Sequence, residues 1–195
     1  MIPGANVRWT LPNILTLLRV GCIPLMVAAF YLTGSYSGFL SALIFLIAAI
    51  TDWFDGWLAR TLNQESEFGA FMDPVADKLI VATALVLLVA HYDNIWITLA
   101  AMVIIGREIL VSALREWMAR SGRSESVAVT IVAKFKTTLQ MTAITLLLWR
   151  AFKPDNDIWL MAGYVAMAIA VVLTLWSMWN YLQVMLGKAT DNETA

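Results

Sequence analysis

The chain has 195 residues, 61% hydrophobic and 14% charged, with a mean hydropathy of +0.75 and a formal net charge of -1. Soluble domains carry about 25% charged residues, so this composition excludes a soluble globular protein and indicates an integral membrane one. The lone Cys22 excludes an internal disulfide and any CxxC metal or redox motif.

Residues 1–11, with Arg8 and Trp9 ahead of Pro12, are expected to form a short cytoplasmic or interfacial arm. About 20 apolar residues cross the roughly 30 Å of hydrocarbon in a bilayer. Six such runs follow, at 12–33, 37–60, 69–91, 94–119, 125–150 and 157–186. The first is too long for a secretory signal, carries Arg19 and Pro24 and is not followed by a small-residue cleavage site, so it is expected to remain. Turn-forming clusters separate the runs at Gly34-Ser35, Asn63 to Glu67, Asp93-Asn94, Ser121 to Ser124 and Pro154 to Asn156. His91, beside Tyr92 and Asp93, reads as an interfacial residue rather than a ligand. Residues 187–195 form a polar cytoplasmic tail. The expected fold is therefore an all-α integral membrane protein, with one six-helix transmembrane domain over 12–186.

Lys and Arg concentrate on the cytoplasmic side of membrane proteins. With six spans and the N-terminus inside, Arg8, Arg19, Arg60, Lys78, Arg107, Arg115, Arg120, Arg123, Lys134, Lys136 and Lys188 lie on or toward the cytoplasmic half, and only Arg150 and Lys153 face out. Trp9, Trp53, Trp57, Trp117, Trp176 and Trp179 then fall toward the inner interface, and Trp96, Trp149 and Trp159 toward the outer one. Both termini are expected in the cytoplasm.

Between the second and third runs lies Asp52-x-x-Asp55-Gly56-x-x-Ala59-Arg60, then eight residues, then Gly69-x-x-x-Asp73-x-x-x-Asp77. At about 100° per residue, Asp52 and Asp55 are about 60° apart on one helix, and Asp73 and Asp77 about 40° apart on the next. Each pair shares a face. A carboxylate at the bilayer centre costs about 2.5–3.5 kcal/mol on insertion scales, so clustered acids in an apolar chain point to function. Asp52 and Asp55 are expected to end a helix, whose terminal carbonyls already carry negative charge, and so to require a cation. Four carboxylates suit hard divalent ions, Mg²⁺ or Mn²⁺. Two such ions about 3.5–4 Å apart could hold a diphosphate for in-line displacement. Gly56 and Gly69 allow close backbone approach to a ligand, Ala59 leaves room, and Arg60 suits phosphate. The bland alternative makes Asp73 and Asp77 first-turn acids with Pro74 at a helix start. It accounts for one aspartate better than for the spaced set. Glu65 and Glu67 lack the spacing and read as loop acids.

The spaced string resembles the signature of the CDP-alcohol phosphatidyltransferase family, with every fixed position filled. Asn13-x-Leu15-Thr16-x-x-Arg19, Met72-Asp73-Pro74-x-Ala76-Asp77-Lys78 and Arg107-Glu108 extend the likeness over the chain, toward the branch whose acceptor is sn-glycerol 3-phosphate. The resemblance implies six transmembrane helices, commonly a homodimer, with the active site open to the cytoplasm and the leaflet of a bacterial inner membrane. By the same resemblance Asp52, Asp55 and Asp73 bind the metals. Asp77 reaches a metal and acts as base on the acceptor hydroxyl, while Asp52, Gly56, Ala59, Arg60 and Gly69 serve the donor, CDP-diacylglycerol. Nucleic acid is not an expected partner.

The acceptor must be read elsewhere. Arg107 lies about 13 residues into the fourth run, and Lys134 and Lys136 about 10 into the fifth, which at roughly 1.5 Å per residue puts some below the interface. A basic pocket there suits an acceptor bearing phosphate, whereas snorkelling of long side chains to lipid is the competing reading. Lys134 and Lys136 are about 200° apart, so Lys134 and Arg107 are favoured, followed by Arg115 and Lys136. Sister enzymes using inositol phosphate or another alcohol stay open. From other classes, a cation or proton transporter and a polyprenyl-diphosphate transferase could also use clustered carboxylates.

Overall fold

Among the described residues, six helices run in sequence order: α1 (Leu11–Tyr31), α2 (Ser37–Leu62), α3 (Glu67–Tyr92), α4 (Ile95–Arg120), α5 (Ile131–Arg150) and α6 (Ile158–Met185). This is a computed structural model, and it describes residues 11–32, 34, 36–62, 67–120, 131–153 and 158–185. All regular structure among them is helical, as an apolar chain in lipid requires, because a helix satisfies its backbone N–H and C=O groups internally.

The helices stop where the sequence supplies turn chemistry. Gly34 takes a φ of 112° after α1, and Asp93 a φ of 42° between α3 and α4. Asn94 then caps α4, its side-chain oxygen accepting the Trp96 backbone N–H at 2.9 Å. The expected start of the fifth run at 125 and the turn at 154–156 lie outside the described residues.

Four helices hold stretches long and apolar enough to cross a membrane: Asn13–Tyr31, Phe71–Tyr92, Ile95–Leu114 and Ile158–Trp179. The apolar stretch described in α2, Ser37–Asp52, is shorter. Helix α1 packs along α2 and α3, α2 lies against α5, α5 against α6, and α4 touches both α3 and α6. Met26, Phe45, Leu85, Leu88, Ile104, Ile144 and Leu148 fill the interior. Leu25, Ile47, Val86, Met102 and Val172 point outward, the distribution expected where lipid replaces water.

The two ends of the bundle differ in chemistry. At one, the ends of α1, α3 and α5 meet through rings: His91 lies 5.7 Å from Phe30 and 4.3 Å from Phe152. The Phe152 backbone N–H donates to His91 Nε2 at 3.2 Å. His91 thus acts as a local acceptor at a helix end. A cavity there, lined by Phe30, Ser37, His91 and Phe152 among others, has no carboxylate in its lining. The opposite end gathers the beginnings of α1 and α3 with the far parts of α2 and α4, and it is polar.

The expected end of a helix at Asp52 needs correction. Helix α2 continues through Leu62, so Asp52 stands ten residues before its end. Because a terminal dipole effect fades within one turn, it cannot be what demands a cation at Asp52. Helix α3 begins at Glu67, which puts Asp73 and Pro74 beyond its first turn, so the bland alternative of first-turn acids fails. The apolar run stops where the acids begin, but the helices themselves carry on.

Gly38 fixes the contact between the start of α2 and the end of α5. A Cβ at this position would fall 2.5 Å from the Ala151 carbonyl oxygen and 2.6 Å from that of Leu148. Since backbone must yield to accommodate it, Gly38→Ala is expected to destabilise the bundle by about 1–3 kcal/mol. Thermal melting of purified protein measures this, and an unchanged midpoint would show that α2 and α5 are not in close contact there.

Candidate functional site

The polar end is organised by one face of α1. Asn13, Thr16 and Arg19, spaced three residues apart, are each 1% exposed. An arginine in an apolar helix is costly unless a partner meets it. Arg19 Nη1 lies 2.6 Å from Asp52 Oδ1 of α2. One turn earlier, the Thr16 hydroxyl donates to Asp73 Oδ1 of α3. Two carboxylates from different helices are thereby drawn to the same face of a third.

Asp77, one turn beyond Asp73, completes the described acids. It is in electrostatic contact with Asp52, Arg19, Glu108 and Lys78. Asp52 likewise feels Asp73. Asp52, Asp73 and Asp77 thus lie near enough at this end to influence one another electrostatically. Asp55, Gly56, Ala59 and Arg60 follow Asp52 on the last turns of α2, and their side chains lie outside what the structure describes. Gly69 is buried near the start of α3.

The basic residues are less uniform. Arg107 is largely buried and pairs with the neighbouring Glu108, Nη1 to Oε1 at 2.6 Å. The Lys78 ammonium donates to the Ser112 hydroxyl, joining α3 to α4 at the same end. On α5, Lys136 is 2% exposed. Its side chain is buried in the interior. The side chains of Lys134 and Arg115 are outside the described residues.

The donor set at this end consists of carboxylate and hydroxyl oxygens, which fits a hard divalent cation by ligand chemistry. Among the described residues no three acids, histidines or cysteines converge to coordination distance. The Arg19 guanidinium beside Asp52 meets part of the cluster's need for positive charge. Arg19, Thr16 and Glu108 belong to this site although the sequence assigned them no role. The available signal was an arginine and two polar residues on one face of an otherwise apolar run.

Known proteins resemble this chain over most of its length. The CDP-diacylglycerol–glycerol-3-phosphate 3-phosphatidyltransferase of Salmonella choleraesuis strain SC-B67 is 52% identical over 185 residues, covering 94% of this chain and 99% of its own. The protein of that name from Escherichia coli strain K12 is 53% identical over 176 residues, 90% of this chain and 94% of its own. The family model described as CDP-alcohol phosphatidyltransferase matches residues 9–176, a range that includes the α1 polar face and all four spaced aspartates. The chain belongs to the CDP-alcohol phosphatidyltransferase family.

Proposed function

We propose that this protein transfers the phosphatidyl group of CDP-diacylglycerol to sn-glycerol 3-phosphate, giving phosphatidylglycerophosphate and CMP. The observation that carries this reading is identity of about half over nearly the full length with relatives named for that activity. The described acids, spaced as the family signature requires, meet at one end of the bundle, which is consistent with it.

In this reading Asp52, Asp55, Asp73 and Asp77 hold divalent cations, Mg²⁺ or Mn²⁺ and two in number. When bound, such ions offset the charge of a diphosphate and of its departing oxygen. Gly69 and Gly56 let the backbone approach the donor, Ala59 leaves room for it, and Arg60 supports its phosphates. Asp77 accepts the proton of the acceptor hydroxyl as that oxygen attacks the phosphatidyl phosphorus and the bond to CMP breaks. Lys136 and Arg107, with Arg115 and Lys134, receive the acceptor's own phosphate. Basic residues at this end of the bundle suit an acceptor that carries its own phosphate.

Residues 12–186 form one catalytic domain in which α2 and α5 also cross the bilayer, since each packs lengthwise against helices that are long enough to span. Arg19, Lys78, Arg107 and Lys136 lie toward the acid end, and Arg150 and Lys153 beyond the other. The positive-inside bias therefore orients the acids, and both termini, toward the cytoplasm of a bacterial inner membrane. A homodimer is part of the same reading.

The mechanism is tested by metal removal and substitution. Chelation is expected to abolish transfer and Mg²⁺ or Mn²⁺ to restore it. Asp52→Asn and Asp73→Asn should each cost orders of magnitude in kcat, while Glu65→Gln and Glu67→Gln change it little. Equal loss in both groups would mean that bulk charge, rather than spacing, matters. Lys136→Ala should raise the KM for glycerol 3-phosphate about 10- to 100-fold with that for CDP-diacylglycerol nearly constant, since a charge-assisted hydrogen bond is worth about 1.5–3 kcal/mol. An unaltered KM removes Lys136 from the acceptor site.

Orientation has its own test. In a Cys22→Ala background, a cysteine replacing Asn63 is expected to react only with reagent on the cytoplasmic side, and one replacing Asn156 only with external reagent. The reverse labelling would contradict the orientation.

A further inference from the structure

Hydroxyl side chains in the described helices mostly serve their own backbone. Thr51, Thr83, Thr142 and Thr145 each donate to the carbonyl four residues earlier, at 2.7 to 2.8 Å. That is the default for threonine in an apolar helix, where no water is available. Thr16 does something these do not. Its hydroxyl reaches across to Asp73 Oδ1, 57 residues away on another helix. It does so from a position 1% exposed, with the equally buried Asn13 and Arg19 on the same face.

We propose that Thr16 is a positioning residue for Asp73, and that Arg19 plays the same part for Asp52, so that α1 sets the divalent-metal affinity of acids carried by α2 and α3. The inference rests on the proposed reading of those acids as a cation site. A carboxylate that accepts a hydrogen bond from the Thr16 hydroxyl at Oδ1 is held in one rotamer and keeps Oδ2 for a cation. Without the hydroxyl it would have to be ordered when the ion binds, and affinity would fall accordingly. At Asp52, the nearby guanidinium of Arg19 limits the carboxylate's freedom and lowers its repulsion with Asp73 and Asp77. Neither α1 side chain need touch metal or substrate to do this.

The test is Mn²⁺ binding to purified full-length protein in lipid nanodiscs, without substrate, followed by electron paramagnetic resonance. Wild type is expected to bind and Asp73→Asn to lose that binding, which identifies the site. Thr16→Val keeps the shape of the side chain and removes the hydroxyl. It should weaken Mn²⁺ binding about 10- to 100-fold, the usual effect of losing a residue that orients a metal ligand. Its metal-free melting curve should match wild type, and Thr16→Ser should restore affinity to within about threefold. Arg19→Lys, which retains charge but not the planar fork, should also weaken binding by at least about tenfold. Wild-type affinity in both Thr16→Val and Arg19→Lys, with Asp73→Asn still inactive in binding, overturns the inference and leaves the metal reading intact. Failure of wild type itself to bind Mn²⁺ overturns that reading and the inference with it.

Discussion

The ion pair between Arg19 and Asp52 is the contact on which the polar end depends. An arginine almost wholly withdrawn from solvent on a membrane helix cannot stand alone, and neither can a carboxylate whose neighbours are other carboxylates. Removing Asp52 would leave the buried guanidinium of Arg19 without this neighbouring carboxylate, a costly change for a charge withdrawn from solvent. Helix α1 must therefore lie against α2 with Arg19 at the level of Asp52. That placement brings Thr16 to Asp73 and draws α3 into the same corner. The close packing of α1 with both α2 and α3 has a polar cause at this end and an apolar one, through Met26, Phe30 and Phe45, farther along.

The bundle separates two tasks by depth. Its middle is aliphatic and well filled, and its aromatic end is closed by stacked rings and by bonds such as Tyr92 Oη donating to the Leu147 carbonyl at 2.8 Å. Charge is concentrated at the other end. Helix α5 links the two, since it carries Lys136 near its start and ends at the aromatic cap. The rigid apolar middle lets a small set of side chains at the polar end be held with little freedom, which is what a site for a doubly charged ion and a diphosphate requires.

Much of this could be read from the residues. Six apolar runs became six helices with boundaries near those expected, because turn residues at Gly34 and Asp93-Asn94 leave little choice. The spaced aspartates drew attention to the end of the bundle where Asp52, Asp73 and Asp77 lie. Other features were hidden for physical reasons. Nothing in local periodicity reports a contact between Thr16 and Asp73, 57 residues apart. Helices apolar on nearly every side give little sign of which face turns inward, so the burial of Lys136 could not be read from its spacing. The end of hydrophobicity was also mistaken for the end of a helix at Asp52, although α2 goes on for ten more residues, carrying the aspartate and arginine of the signature with it.

The central claim is that the acid end catalyses phosphatidyl transfer to a phosphorylated acceptor. Its most direct test is to give the purified protein CDP-diacylglycerol, Mg²⁺ and, separately, glycerol 3-phosphate, inositol phosphate or serine, and to measure CMP release together with the mass of the lipid product. The account predicts one CMP for each phosphatidylglycerophosphate formed, with glycerol 3-phosphate as the preferred acceptor. Release of inorganic diphosphate, or faster turnover with serine, would contradict it.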